Sequence, residues 1–566
     1  MDRIFPHLSR RRLITSAAGL AAAGTLPMPA WAKGLPPKSA SKGFGELSGE
    51  DIHLTIAEHH FATRGRHGHA IAVNGTIPGP LIRLREGQDV RLHVTNLLGE
   101  DSSIHWHGLL LPFQFDGVPG VSFPGIGPGR TFTYQFPIRQ SGTYWWHSHS
   151  GLQEQEGLYG PLVIESAEPD PRYDREYVLL LSEFTPLHPH AIMRKLKAEN
   201  HYFNRQMQTA TEGDMPGAQR RMWGQMRMNP RDIADVSGAT YTYLVNGHGP
   251  DDALEFAFNP GERVRLRIIN GSAMTFFNVR IPGVPMVVIA ADGQDVDPVE
   301  IDEFQIGTAE TYDVIVTPPD GSHALVAEAM DRSGMGIASL TSQPGRVASP
   351  PALREVPTLT MVDMGMGEHA LHGSGAMAHK MRDTSLLPGD VKVGPGLDMV
   401  SAMPADRMHF PGLGLDGVEH RVLRYTDLRA QRPNPHRVLD REMEIHLTGN
   451  MERYMWSFDG KKFAAVTDSP IRFGLGERVR VKLVNDTMMA HPIHLHGHFF
   501  ELVNGADHMH QPLKHTLIVQ PGSSATFDLT ASEPGDWAFH CHLLYHMHAG
   551  MMQVVTVRPY ADGTAA

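Results

Sequence analysis

Apolar and polar residues alternate in short runs along most of the chain, as in Val90-Arg91-Leu92, Val264-Arg265-Leu266 and Val479-Arg480-Val481. A two-residue period is that of a strand with one buried face, and turns such as Asn74-Gly75 and Pro521-Gly522 separate the runs. Long stretches of helical period are missing. The pattern predicts an all-β protein built of Greek-key sandwiches.

The runs also recur. Val73-Asn74-Gly75 precedes Gly87-Gln88-Asp89-Val90-Arg91-Leu92 and closes on Asn96; Val245-Asn246-Gly247 precedes Gly261-Glu262-Arg263-Val264-Arg265-Leu266 and closes on Asn270. The third copy is Phe458-Asp459-Gly460 with Gly476-Glu477-Arg478-Val479-Arg480-Val481, closing on Asn485. From Gly to Asn the step is nine residues each time (96−87, 270−261, 485−476). Three homologous β domains follow, and 566 residues is indeed beyond one ordinary core.

Comparing the copies separates chemistry from scaffold. Nine residues past the closing Asn stand His105 in the first copy and His494 in the third, but Val279 in the second. Gly142 and Gly535 each precede a His by five residues, opening His147-Ser148-His149 and His540-Cys541-His542. Residues two apart project from one face of a strand. His105, His107, His147, His149, His494, His496, His540 and His542 are therefore expected to surround one cluster between domains one and three, where eight imidazoles suit three copper ions. Cys541 points the other way. Two imidazoles and a weak axial thioether complete a blue-copper site around such a sulfur, and His491, His546 and Met551 are placed to supply them. Their counterparts in domain one, Ser102, Ser148, Gln153 and Leu158, make no such site.

Composition agrees, with 34 His, 29 Met and a single Cys giving many soft and borderline ligands and no internal disulfide. A net charge of −12 argues against a nucleic-acid partner. Ser9-Arg10-Arg11-Arg12-Leu13, the apolar stretch 13–23 and Ala30-Trp31-Ala32 read as a twin-arginine signal peptide over residues 1–32. The stretch is too short for a stable membrane span, and no other segment reaches that length.

His-Trp-His-Gly, Trp-His-Ser-His, His-Pro-Ile-His-Leu-His-Gly and His-Cys-His-Leu-Leu-Tyr-His-Met-His-Ala-Gly-Met resemble the four copper motifs of the multicopper oxidases. The export signal, Trp223-Gly224-Gln225-Met226-Arg227-Met228-Asn229-Pro230 and a Met/His-rich connector resemble the copper-resistance protein A branch. The resemblance implies three cupredoxin-like Greek-key β-sandwich domains at 45–168, 172–345 and 433–560, with the connector at 346–432. It implies four copper ions: type 1 on His491, Cys541 and His546 with Met551 axial, type 2 on His105 and His494, and two type 3 ions on His107, His147, His542 and on His149, His496, His540. Asp116, in Phe115-Asp116-Gly117, resembles the family's acidic residue near the cluster; the alternative is a plain Asp-Gly turn. After the Cys, where relatives often carry an acid, this chain has Met547 and His548, so a second proton relay is not expected.

The implied activity is one-electron oxidation of a substrate coupled to four-electron reduction of dioxygen to water, by a monomeric periplasmic enzyme whose electrons pass from Cys541 through His540 and His542. The connector carries Met361, Met364, Met366, His369, His372, Met377, His379, Met381, Met399, Met403, Met408 and His409, and domain two adds Met207, Met215, Met222, Met226 and Met228. Thioethers and imidazoles in a Gly-rich segment favour Cu(I) as substrate. The step from Met222 to Met226 also fits a buried helical face. Small phenols and aromatic amines are the alternative donors, and a non-catalytic copper-sequestering protein is the alternative of another class. His59, His60, His67 and His69 read as solvated surface.

Overall fold

The structure is a computed structural model that describes residues 44–168, 170, 172–209, 215–360, 363, 381–463 and 469–559. The signal segment 1–32 and Met361, Met364, Met366, His369, His372, Met377 and His379 lie outside them. The repeated strands form as expected, at Asp89–Asn96, Val264–Asn270 and Arg478–Asn485. Each runs parallel to a long strand near the start of its domain: Asp51–Thr63, Arg175–Phe184 and Arg441–Asn450.

The repeat has a hydrogen-bonding cause. Asn74, Asn246 and Asp459 take left-handed φ values of 52°, 51° and 50°, a conformation that Asn and Asp tolerate better than most residues. Each side-chain oxygen then accepts a backbone N–H of the neighbouring strand, from Thr55, Leu180 and His446. The closing Asn is fully buried in all three copies. Its amide donates to two loop carbonyls, those of Glu100 and Ile126, Thr275 and Ile306, and Met489 and Val519. Its oxygen accepts the N–H two residues on. Those loops lead into the next strands, so the Asn fixes where His105 and His494 emerge.

Every domain is a pair of sheets. Domain one pairs a four-stranded sheet with a five-stranded sheet that holds Gly142–His147 and His105–His107 side by side. Domain three has the corresponding five-stranded sheet, with Gly535–Cys541 beside His491–Leu495. Domain two pairs six strands with five. Short helices at Pro189–Ala198 and Gly217–Met226 belong to domain two. No helix among the described residues is long and apolar enough to cross a membrane.

One strand departs from the alternating expectation. Val264–Asn270 is buried along its whole length, so its polar face does not meet solvent. Arg265 and Arg267 instead meet Asp313 and Glu176, and Arg267 also donates to Thr143 of domain one. Burial alone would push the Glu176 carboxyl up, but Arg267, Arg83 and Arg265 outweigh it and hold Glu176 at about 2. A carboxyl with a lowered pKa stabilises the fold fully above its unfolded value of 4.5, and that contribution falls away as pH drops from there to about 2. Arg267→Ala leaves two buried acids short of a partner and is expected to cost about 3–5 kcal/mol in urea unfolding at neutral pH. Much of that difference should vanish when both proteins are compared near pH 2.

The connector is strapped to domain two. Arg354 clamps Glu303 and Glu328, both fully buried, and His420 reaches Glu303 at 2.6 Å. Met381 and Met399 pack with Trp223, Met226, Ile233, Leu359, Leu413 and Met488 in one buried cluster, and Met408 is buried as well. Met226 is therefore core, as the helical spacing allowed; the side chain of Met222 lies outside the described residues. Met403 and His409 are exposed.

Candidate metal centres

Strand alternation separates two sets of side chains. In His105–His107, Trp106 turns into the domain-one core against Tyr134 while both histidines face the other way. The register sets His105 beside His147 and His494 beside His540, with Cys541 opposite Ile493. All eight predicted imidazoles converge between domains one and three, and all but His149 are buried. His105 stacks on His496 and His107 on His494, each with ring centroids 3.8 Å apart. His149, His496 and His540 form one group: Nε2 of His540 lies 3.4 Å from Nε2 of His149 and 3.0 Å from Nε2 of His496. His147 and His542 approach at 3.3 Å through Nε2, with the His107 ring 5.0 Å from that of His542.

Hydrogen bonds behind the rings choose which nitrogen faces inward. Nδ1 of His105 donates to the Asp116 carbonyl at 2.7 Å, Nδ1 of His494 to the His515 carbonyl at 2.7 Å, and Nδ1 of His540 to the Cys541 carbonyl at 3.0 Å. Nδ1 of His496 lies 2.8 Å from Asp116 Oδ2, and Nδ1 of His147 lies 2.8 Å from Glu154 Oε2. These leave Nε2 inward. His107 is reversed: its Nε2 sits 3.5 Å from Thr516 Oγ1, leaving Nδ1 free of partners among the described residues. Nε2 of His105 and of His494 and Nδ1 of His542 are likewise buried without a partner among those residues.

Such nitrogens are costly unless something binds them. Burial pushes His107, His147, His149, His494, His496 and His542 well below the ordinary imidazole value, and His540 down to about 4. They are neutral, with lone pairs aimed at one another. A cavity of facing lone pairs fits cations, and imidazole suits copper.

The second set lies across the strand. Cys541 Sγ is 3.5 Å from His491 Nδ1 and 3.9 Å from His546 Nδ1, and the two nitrogens are 3.2 Å apart. His491 Nε2 is 2.7 Å from Thr487 Oγ1, and His546 Nε2 is 2.8 Å from Asp235 Oδ2, so both rings turn Nδ1 to the sulfur. Trp456 stacks on His546 at 3.9 Å, and Tyr454 donates to the same Asp235 oxygen. Met551 is fully buried and its carbonyl accepts the Cys541 N–H at 3.1 Å. Burial pushes the Cys541 thiol up, so the thiolate needs a cation beside it. One soft sulfur with two imidazoles fits copper.

Asp116 is more than a turn residue. It ends the 3₁₀ turn Phe113–Phe115, and Gly117 at φ 83° lets the chain press against the Ile104 carbonyl, where a Cβ would collide. The Asp116 carboxylate is thereby buried against His496, with Oδ1 3.3 Å from His105 Nδ1.

Three supporting residues escaped the sequence reading. Asp235 comes from domain two, which supplies no imidazole to either centre yet holds His546. Glu154, five residues after His149, holds His147 from behind. Thr516 Oγ1 stands between His107, His494 and His515 at 3.5, 3.3 and 3.0 Å. Only Glu154 gave a local hint, as an acid in a loop directly following a His pair.

The domain-one counterpart of the sulfur site is filled. Ser102 and Ser148 both donate to Gln153 Oε1, at 2.8 and 2.9 Å, and Leu158 is fully buried.

Family models described as multicopper oxidase match residues 55–169, 176–343 and 437–561. A copper resistance protein A homolog of Pseudomonas syringae pv. tomato is 44% identical, the match covering 97% of this chain and 99% of that protein. The chain belongs to the multicopper oxidase family. Copper resistance protein A of Escherichia coli is 43% identical over 90% of this oxidase and 93% of that protein. The laccase of Botrytis aclada shares the fold, with a TM-score of 0.62 at 21% identity over 93% of this chain and 89% of that one. Membership makes the oxidase an oxidoreductase and copper its cofactor.

Proposed function

We propose that this oxidase takes single electrons from Cu(I) and uses four of them to reduce dioxygen to water, in the periplasm after twin-arginine export. Four copper ions are proposed: one held by His491, Cys541, His546 and Met551, one by His105 and His494, one by His107, His147 and His542, and one by His149, His496 and His540. Bound there, copper supplies one-electron acceptance beside Cys541 and dioxygen reduction at the eight-imidazole cluster.

The observation that carries the reading is the adjacency within His540-Cys541-His542: the sulfur stands in one donor set and both flanking imidazoles in the other. The chain itself is thus the shortest link between the centres. Asp116 Oδ1, buried against the cluster, is the atom proposed to hold a proton for the oxygen being reduced. Thr487 and Asp235 keep the His491 and His546 rings turned to the sulfur.

Cu(I) is favoured as donor by what borders His546. Asp235 lines a cleft with Met274, Met330 and Met489, and the neighbouring cleft adds Met488 with connector residues Leu359 and Asp363. A carboxylate hydrogen-bonded to His546 and surrounded by thioethers suits a cuprous ion better than a phenol ring. Oxygen uptake by the copper-loaded protein with Cu(I) and with a phenol tests this. Replacing Met361, Met364, Met366 and Met377 by Leu is expected to lower Cu(I) oxidation while phenol oxidation survives. Undiminished Cu(I) oxidation alongside phenol oxidation would point to a laccase-like enzyme, and no oxygen uptake by the unaltered protein with either donor to a sequestering protein.

A further inference from the structure

A separate gathering of ligand side chains lies on the surface, where the hairpin of Asp51–Thr63 and Arg66–Val73 meets the start of the helix Pro189–Ala198. Glu156 Oε1 lies 3.4 Å from His69 Nδ1 and 3.9 Å from His188 Nε2. The Glu156 side chain is 12% exposed, whereas those of His69 and His188 are 50% and 59% exposed, so a largely buried carboxylate meets two solvent-facing imidazoles. More imidazoles stand around it. His60 pairs with His69 across the hairpin and its ring is 5.6 Å from that of His67. His190 stacks on His188 at 5.4 Å and lies 6.3 Å from His548.

The two contacts are loose ion pairs, and both nitrogens lie within reach of one ion held on the carboxylate. An N–H···O bond spans about 2.7–3.2 Å, and both contacts are longer. Two ligand atoms each about 2.0–2.1 Å from one tetragonal ion stand roughly 3 Å apart when adjacent and roughly 4 Å apart when opposite, a range that holds both separations. Burial raises the Glu156 carboxyl above its ordinary range although His188 and His69 oppose that, a strain that a divalent cation relieves.

We propose that His69, Glu156 and His188 form a surface site for a divalent late-transition cation, with Cu(II) as the ion this oxidase meets. Imidazole with carboxylate is a borderline donor set suited to Cu(II) or Zn(II), in contrast to the thioethers near His546. His188 Nδ1 accepts the His190 N–H as the helix N-cap, which leaves the proton on Nε2. A cation that takes the Nε2 lone pair moves that proton to Nδ1 and releases the cap. Nothing in the site depends on which donor the enzyme oxidises.

The test is equilibrium dialysis of the copper-loaded full-length protein against added Cu(II), with electron paramagnetic resonance of the bound ion. Wild type is expected to take up one further Cu(II). Glu156→Gln, and His69→Ala with His188→Ala, should each weaken that uptake by about tenfold or more. His59→Ala is the control, because His59 pairs with Ala70, next to the His60–His69 pair, and so projects from the other face of the hairpin. Blue absorption and phenol oxidation should be unchanged in every variant, which also reports that they fold. Equal uptake by wild type and Glu156→Gln, or no uptake beyond the internal centres, overturns the site.

Discussion

Cys541→Ser is expected to abolish the blue absorption of the copper-loaded protein and to drop oxygen consumption to background with Cu(I) and phenol alike. The substitution changes little in volume and places a hydroxyl where a buried sulfur stood, costing on the order of 1–3 kcal/mol if the hydroxyl finds no partner. A folded, colourless protein is therefore the anticipated product, with copper kept at the cluster and lost beside His491 and His546. Turnover that persisted in this variant would reject the covalent link as the electron route, because His540 and His542 would remain in place.

Asp116→Asn should give the other large loss, with a different signature. The amide oxygen can still accept from His496 Nδ1, so the ring stays oriented and the blue absorption stays intact. What disappears is a group able to carry a proton beside the cluster, and loss of a general acid is worth on the order of 10²–10⁴ in rate. Reduction of the sulfur site by substrate should proceed at its normal speed while steady-state oxygen uptake falls. A variant with undiminished oxygen uptake would leave Asp116 with a purely structural part, holding His105 and His496.

The sequence made the ligand geometry legible because both signals were local. A nine-residue step ending on a buried Asn fixes where the His105 and His494 pairs emerge, a five-residue step from Gly142 and Gly535 marks the other two, and strand alternation assigns neighbouring residues to opposite faces. Side chains that act across domains left no such trace. Asp235 reaches His546 from 311 residues away, and no feature of its own segment sets it apart. Arg265 and Arg267 look like a solvated face in the alternating pattern, because a buried face of ion pairs reads the same as a wet one until a second domain covers it. The thioethers divide similarly: Met381, Met399 and Met408 sit among Gly and Pro in a segment of little regular structure, yet a cluster contributed by domains two and three buries two of them.

The Ser102-Gln153-Ser148 knot in domain one has a directional consequence. It occupies the position that the Cys541 site holds in domain three, with its hydrogen bonds already closed. Placing a metal there would require replacing several side chains at once, since removing Gln153 alone takes the shared acceptor from both buried hydroxyls. Among the described residues the domain-one flank of the cluster thus ends in closed hydrogen bonds, where domain three presents a sulfur and two imidazoles.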